Sequence, residues 1–278
     1  MSNGISRFYN RTGETPDFRH RFGKSLRFDL LALYRLLQTS DLAREGMLHS
    51  GSFRFADHIY RNQASGRTFL GCWLDRLLLD FPSTRAMRSR FIKARNAIFD
   101  TALASYRSER IEVLTVPCGI PRDYAEAIEN LHRTHPNIAG QMWYTGLDLD
   151  PAAIEEGRIL LGSQANVAFV QGDALDAQCF PINRFHCICS TGLGEFLTDE
   201  DLLTLYSNIY QSLARGGLFY TSALRAGRFA VLLMEKFELR ATYRTQDQVR
   251  MLMGKLPWSE LRFIEDRSGL QTYVYAWK

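Results

Sequence analysis

The sequence predicts an α/β protein: a doubly wound, mostly parallel seven-stranded sheet ending in an antiparallel hairpin, with a helical amino-terminal extension. Three observations carry this. From Ile111 onward, short β-branched or aromatic runs alternate with stretches of helical period, the pattern of strands and crossover helices in a parallel sheet. The last two strand-like runs, LRFIEDRS and QTYVYAWK, are separated by only a short turn around Gly269, too short for a crossover, so they pair antiparallel. Before Ile111 the periodicity is helical instead. The chain therefore divides into residues 1–110, the extension, and 111–278, the sheet domain.

The elements follow in order. Residues 1–23 form a polar arm punctuated by Gly and Pro. From Lys24 to Gln38, Phe28, Leu31, Leu33, Tyr34 and Leu37 recur at helical spacing. Between His49 and Arg67 the pattern breaks into aromatics, arginines and histidine, including Phe53, Arg54, Phe55, His58, Tyr60 and Arg61. Thr68 to Phe81 is predicted as a helix. After Pro82, Ser83 caps a longer helix to about Ser105, with Met87, Phe91, Ala94, Ile98 and Ala102 on one face and Arg85, Arg88, Lys93 and Arg95 off it. The sheet domain then reads IEVLTV, a helix from PRDYAEAIENLHR, and an extended helix or loop through HPNIAGQMW. MWYTGLDL, PAAIEEGRILLG, VAFVQGD, FHCICST and the helix DEDLLTLYSNIYQSLA come next. A Gly216–Gly217 turn precedes the strand GGLFYTSAL; helices follow around Arg228 to Phe237 and from about Thr245 to Lys255.

Composition bounds the function. In 278 residues there are 34 Lys and Arg against 30 Asp and Glu. Residues 1–110 hold roughly 19 basic against roughly 10 acidic side chains, and the remainder is acidic. This arginine surplus suits an anionic partner, or is simply solvated helix surface. No run of apolar residues is long enough for a membrane span, and the amino-terminal stretch lacks a signal-peptide core, so a cytoplasmic protein is expected. The five scattered cysteines suit a reducing compartment. Cys187 and Cys189 form a C-x-C without a second ligand pair, which reads as buried small side chains; no metal is expected.

In a doubly wound sheet, ligands bind beyond the carboxyl ends of the strands. There the sequence places the loop PCGIPRD after the first strand, Asp148 in GLDLDP after the second, Asp173 in FVQGDALD after the third, and STGLGEFL after the fourth. VLTVPCGIP, GLDLDPAAIEEGR, FVQGDALD and LARGGLFYTSAL, in this order, resemble the motifs of class I, Rossmann-like S-adenosylmethionine-dependent methyltransferases over residues 111–278. The resemblance implies S-adenosylmethionine (SAM) as cofactor. Asp148, with Leu149 beside it, would then meet the ribose hydroxyls, and Asp173 and Ala174 the adenine. Pro117, Cys118 and Gly119 would leave room for the methionine portion, with Thr191 at the fourth strand end. By charge match, Arg122 would pair with the methionine carboxylate and Asp123 with its ammonium. Asp150 is the competing acid, read as a cap before Pro151, and Asp173 has a competing role in its own turn. The loop departs from the family pattern: two prolines stand where glycines are usual, and Thr115 stands where many relatives have an acid. A pyrophosphate needs several free backbone amides, which a prolinated loop supplies badly; a phosphate-free cofactor does not need them.

The implied activity is methyl transfer to an O, N or C nucleophile of a small, polar or anionic molecule, with residues 1–110 as a lid shaping the acceptor pocket. His58, Tyr60 and Glu195 are the candidate catalytic residues; Glu195 competes with a capping role for the helix at Thr198. GLGEFL is similar to segments of bacterial small-molecule methyltransferases, carboxyl-methylating ones included. The loop after the fourth strand lacks the Asn/Asp-Pro-Pro-aromatic motif of base and glutamine methylation, which disfavours a nucleic-acid substrate. The alternatives are an RNA methyltransferase gripping phosphates with the arginine-rich extension, and a non-catalytic SAM-binding regulator or scaffold. A nicotinamide dehydrogenase is disfavoured by the loop prolines.

Overall fold

The computed structural model describes residues 35–48, 52–66, 68–162, 164–225 and 241–278. The helices expected over Lys24–Gln38 and Arg228–Phe237 lie wholly or largely outside the described residues. The chain forms two compact units whose boundary falls between Arg88 and Ser89.

The first unit contains α1 (Asp41–Leu48), α2 (Phe53–Arg61), α3 (Phe69–Leu79) and the start of α4 (Pro82–Ala104). Ser52 caps α2 by accepting from Phe55 N–H, and Thr68 caps α3 by accepting from Gly71 N–H. Contrary to the expected Ser83 cap, α4 opens at Pro82, whose missing N–H costs nothing in a first turn. Thr84 takes the stapling role: its hydroxyl meets the carbonyls of Leu78, Leu79 and Phe81. Leu42, Ile59 and Leu79 form a small core with Phe55, Tyr60, Leu78 and Met87 packed against it.

In the second unit the strands are β1 (Ile111–Thr115), β2 (Met142–Asp148), β3 (Val167–Gln171), β4 (Phe185–Ser190), β5 (Leu213–Leu224), β6 (Glu260–Glu265) and β7 (Gln271–Trp277). They form one seven-stranded sheet in the order β3-β2-β1-β4-β5-β7-β6. The pairings β1–β2, β2–β3, β1–β4 and β4–β5 are parallel, and β7 runs antiparallel to both β5 and β6, as the terminal hairpin required. Connections are made by α5 (Arg122–Thr134), the single turn α6 (Pro136–Ala139), α7 (Pro151–Leu161), α8 (Asp199–Ser212) and α9 (Gln246–Met253). Every residue of β1 is buried, as a central strand covered on both faces must be.

The core of this unit sets small against large. Ala94, Ala97, Ile98 and Ala102 of α4 pack in one cluster with Tyr144, Tyr220 and Tyr273 of the sheet. Alanines let the helix approach closely enough for the tyrosine rings to fill the space. The Gly216–Gly217 pair is not a separate turn but an irregularity within β5. Phe185 pairs with Leu213, whereas Cys187 pairs with Leu218, so the added residues bulge out. A Cβ at Gly217 would stand 2.9 Å from the carbonyl oxygens of Ala214 and Phe185, which excludes any larger residue.

Parallel register aligns the carboxyl ends. Thr115 sits level with Gly146 and Cys189, Asp148 with Gln171, and Ser190 with Thr221. The chain order reverses between β1 and β4, which is the switch point where a doubly wound sheet opens a crevice.

Candidate functional site

The loop from Pro117 to Arg122 lies at this crevice, and three of its amides are satisfied within the protein. Cys118 N–H donates to Leu147 O at 2.9 Å, Gly119 N–H to Asp148 Oδ2 at 2.9 Å, and Arg122 N–H to Ile120 O at 2.8 Å. Pro117 and Pro121 have no N–H to give. With two prolines and three amides engaged within the protein, the loop is poorly equipped to cradle a pyrophosphate. It supports a cofactor recognised by shape and carboxylates, the requirement a phosphate-free sulfonium nucleoside presents. Gly119 holds φ +48°, a turn that directs its N–H to Asp148. Pro121 is the residue before α5 rather than its first helical residue.

The two acids at the end of β2 separate by role. Asp148 is 3 % exposed, and its carboxylate also accepts from Asp150 N–H at 3.0 Å. It is thus fixed by backbone from two sides at the strand end, with Leu149 partly exposed beside it. Asp150 caps α7, accepting from Ala152 N–H at 2.8 Å with Pro151 opening the helix. At the end of β3, Asp173 Oδ1 accepts from Leu175 N–H at 2.9 Å and so organises its own turn, while remaining partly exposed. Ala174 is buried, and its carbonyl accepts from Asn208. Thr191 follows β4 and is partly exposed.

Beneath the loop the environment is apolar and aromatic. Tyr124 and Tyr144 rings lie 4.4 Å apart, and Phe169 meets Tyr144 edge-on at 5.8 Å. The Tyr144 hydroxyl pairs with Thr115, the residue that stands where an acid was a family expectation. Burial drives the Cys118 thiol well above its ordinary range, reinforced by the Asp148 charge, so it is a packing group and not a nucleophile. Asp123, in the first turn of α5, has its carboxyl pushed up to about 6 by burial.

Glu195, in the short turn Leu193–Glu195, is 8 % exposed and pairs with Arg90 at 2.8 Å, both side chains almost fully buried. Burial raises its carboxyl and Arg90 opposes the rise. It does not cap α8; Thr198 does, accepting from Asp201 N–H. Arg90 went unread in the sequence, although it lies three residues after Met87 and four before Ala94, on the apolar stripe itself. A charge in that register was the available signal.

His58 and Tyr60 belong to the first unit. His58 Nε2 lies 3.2 Å from Gln63 O, 3.3 Å from Ser65 Oγ and 4.0 Å from Asp75 Oδ2. Serine and aspartate share one ring nitrogen, so this is no nucleophile relay, which needs a different nitrogen for each. Asp75, fully buried, also accepts from Ser40 Oγ, Leu42 N–H and Ser65 N–H, and so ties together the start of α1, the chain before α3 and α3 itself. Among the described residues no group of three or more metal-ligating side chains occurs. Cys187 and Cys189 are buried with sulfurs 3.9 Å apart.

A seven-stranded sheet of this order, with a loop after β1 and an anchored acid after β2 at its switch point, is the fold of class I SAM-dependent methyltransferases. Residues 24–223 match the family described as "Putative methyltransferase" (Methyltransf_20), and the chain belongs to that family. Its cofactor is S-adenosylmethionine. No curated protein sequence matches the chain. Among solved structures, a possible exported protein from Bordetella parapertussis is similar over 99 % of this chain and 94 % of its own, at 21 % identity and a TM-score of 0.70. Magnesium protoporphyrin IX methyltransferase from Synechocystis PCC 6803, solved with bound S-adenosylhomocysteine, is similar over 80 % of this chain and 93 % of its own, at 11 % identity and a TM-score of 0.53. The SAM-dependent methyltransferase SibL is similar over 90 % of this chain and 76 % of its own, at 14 % identity and a TM-score of 0.54. At these identities the likeness is one of fold.

Proposed function

We propose that the enzyme methylates a small, polar or anionic molecule whose nucleophile reacts without a strong general base. The observation that carries this is the commitment of Glu195, the carboxylate of the loop after β4, to Arg90 at 2.8 Å. Taking a proton there would neutralise the buried counter-charge of Arg90, so Glu195 is committed to the pair rather than presented to an acceptor. A deprotonated acceptor, such as another carboxylate, needs no base. The missing Asn/Asp-Pro-Pro-aromatic motif supports a small molecule over a nucleic-acid base, and the arginine surplus of residues 1–110 supports an anionic one.

SAM supplies a methyl group on a sulfonium whose positive charge disappears during transfer. On this reading Asp148 accepts from the ribose hydroxyls, and Asp173 and Ala174 border the adenine. Pro117, Cys118 and Gly119 give the methionine portion its space, with Leu149 and Thr191 flanking. Arg122 and Asp123, adjacent at the start of α5, complement the carboxylate and ammonium. Residues 1–110 act as the acceptor lid, in which His58 and Tyr60 contribute polar groups. All five cysteines are free, which supports the cytoplasm. Among the described residues no helix is long and apolar enough to cross a membrane.

The test is incubation with methyl-labelled SAM and a fractionated cell extract. Label entering the small-molecule fraction is the expected result. Label in RNA, together with RNA binding that weakens steeply with salt, would replace this reading with RNA methylation. SAM binding with no label in any fraction would leave a non-catalytic SAM-binding protein.

A further inference from the structure

Two buried arginines hold the loop between β4 and α8 from different directions. Arg244, 5 % exposed, donates from Nη1 to Gly194 O at 2.6 Å, from Nη2 to Leu197 O at 2.7 Å and from Nε to Asp199 Oδ1 at 2.8 Å. Thr242 N–H donates to Glu195 O at 2.6 Å, and Arg244 N–H to Leu224 O at 2.9 Å, so this clamp is itself fastened to the end of β5. The carbonyls of Gly194, Glu195 and Leu197 therefore all accept from residues 242–244. Asp199 is largely exposed, so its pairing adds little; the main-chain bonds define the geometry.

From the other direction Arg90 pairs with Glu195, and Gly192, at φ +88°, lies against its guanidinium: a Cβ there would be 3.2 Å from Nη2. The main-chain carbonyl of Arg90 accepts from the Tyr220 hydroxyl at 3.0 Å, which anchors this turn of α4 to β5. A guanidinium offers five N–H groups in a rigid fork, and lysine cannot reproduce that reach. Such buried pairs are weak evidence for stability, and in some proteins they serve instead to select one conformation.

We propose that Arg244 and Arg90 are positioning residues for methyl transfer. They fix residues 192–197 at the carboxyl edge of β4, beside the cofactor crevice, so that the acceptor meets the methyl donor in line. This rests on the reading that the acceptor lies at that edge. Misplacement of a reacting group by about 1 Å costs about 100-fold in rate.

The experiment compares wild type with Arg244→Lys, Arg244→Met and Arg90→Lys in three measurements. These are S-adenosylhomocysteine affinity by calorimetry, amide exchange of residues 191–198, and label transfer from saturating SAM into the small-molecule fraction of a cell extract. The expected result is affinity within about threefold, loop exchange faster by about tenfold or more, and transfer slowed by about tenfold or more, with Arg244→Lys milder than Arg244→Met. Unchanged loop exchange overturns the proposal. So does loss of affinity in step with transfer, the mark of general unfolding. If wild type binds no S-adenosylhomocysteine the cofactor assignment fails; if it binds but labels nothing, the acceptor reading fails. In either case the exchange measurement still decides whether the arginines hold the loop.

Discussion

Asp148→Asn tests most cleanly the proposal that Asp148, and not Asp150, is the cofactor acid. The carboxylate of Asp148 receives Gly119 N–H at 2.9 Å and Asp150 N–H at 3.0 Å, with the residue 3 % exposed. Asparagine keeps the shape but turns one acceptor into an NH₂ donor, so one of those two amides faces another donor. Stranding a buried N–H costs about 1–3 kcal/mol, and a charge-assisted bond to a ligand hydroxyl is roughly twice as strong as a neutral one. Affinity for S-adenosylhomocysteine should therefore fall by about 1–3 kcal/mol, or roughly 5- to 150-fold. The melting temperature should drop by about 2–12 °C, at 2–4 °C per kcal/mol for a domain this size. Calorimetry at pH 7.5 and thermal denaturation read the two effects. Asp150→Asn is the control, because asparagine caps a helix as well as aspartate does and α7 should keep its start. Unchanged affinity in Asp148→Asn, or a larger loss in Asp150→Asn, refutes the assignment.

Asp123 should show in pH dependence. Its folded carboxyl is raised to about 6, so its contribution favours the fold below the ordinary aspartate value of about 4 and is lost as pH rises through 6. Asp123→Asn should consequently melt higher than wild type at pH 7.5 and level with it near pH 4, as thermal scans at the two pH values would reveal. If the ionised form meets the methionine ammonium, wild-type affinity for S-adenosylhomocysteine rises between pH 5 and 7 while the variant stays flat. Gly192→Ala places a Cβ at φ +88° and 3.2 Å from Arg90 Nη2; a loss of about 1–3 kcal/mol is expected in denaturant titration, and a neutral result would show that the loop relaxes freely. Ile98→Ala empties a fully buried site between α4 and the sheet and should cost about 2–5 kcal/mol with unchanged denaturant slope.

What the sequence disclosed follows from how each feature is encoded. Alternation of strand and helix was enough for the sheet, because a parallel β-strand must be followed by a crossover and a two-strand ending cannot be. The division of labour between Asp148 and Asp150 was legible from period-two register and from Pro151, since one residue ends a strand and the other precedes a helix-opening proline. The donor count of Pro117–Arg122 was half legible: the prolines announce two missing donors, but only the fold shows that Cys118, Gly119 and Arg122 donate within the protein. The start of β5 misled, because Gly216 and Gly217 read as a turn whereas Gly216 N–H pairs with Lys278 O across the sheet.

The two arginines show where local pattern fails, in opposite ways. Arg90 interrupts an apolar stripe at a buried helical position, so the need for a buried counter-charge was visible, though not that Glu195, 105 residues on, supplies it. Arg244 left no such trace. Apart from the exposed Asp199, its partners are main-chain carbonyls of Gly194 and Leu197, and a carbonyl is present at every residue, so no side-chain pattern marks which ones are met. Catalysis by positioning is accordingly harder to read than catalysis by proton transfer. A base must be one of a few residue types, but the group that holds a loop still needs only reach and a main chain to grip.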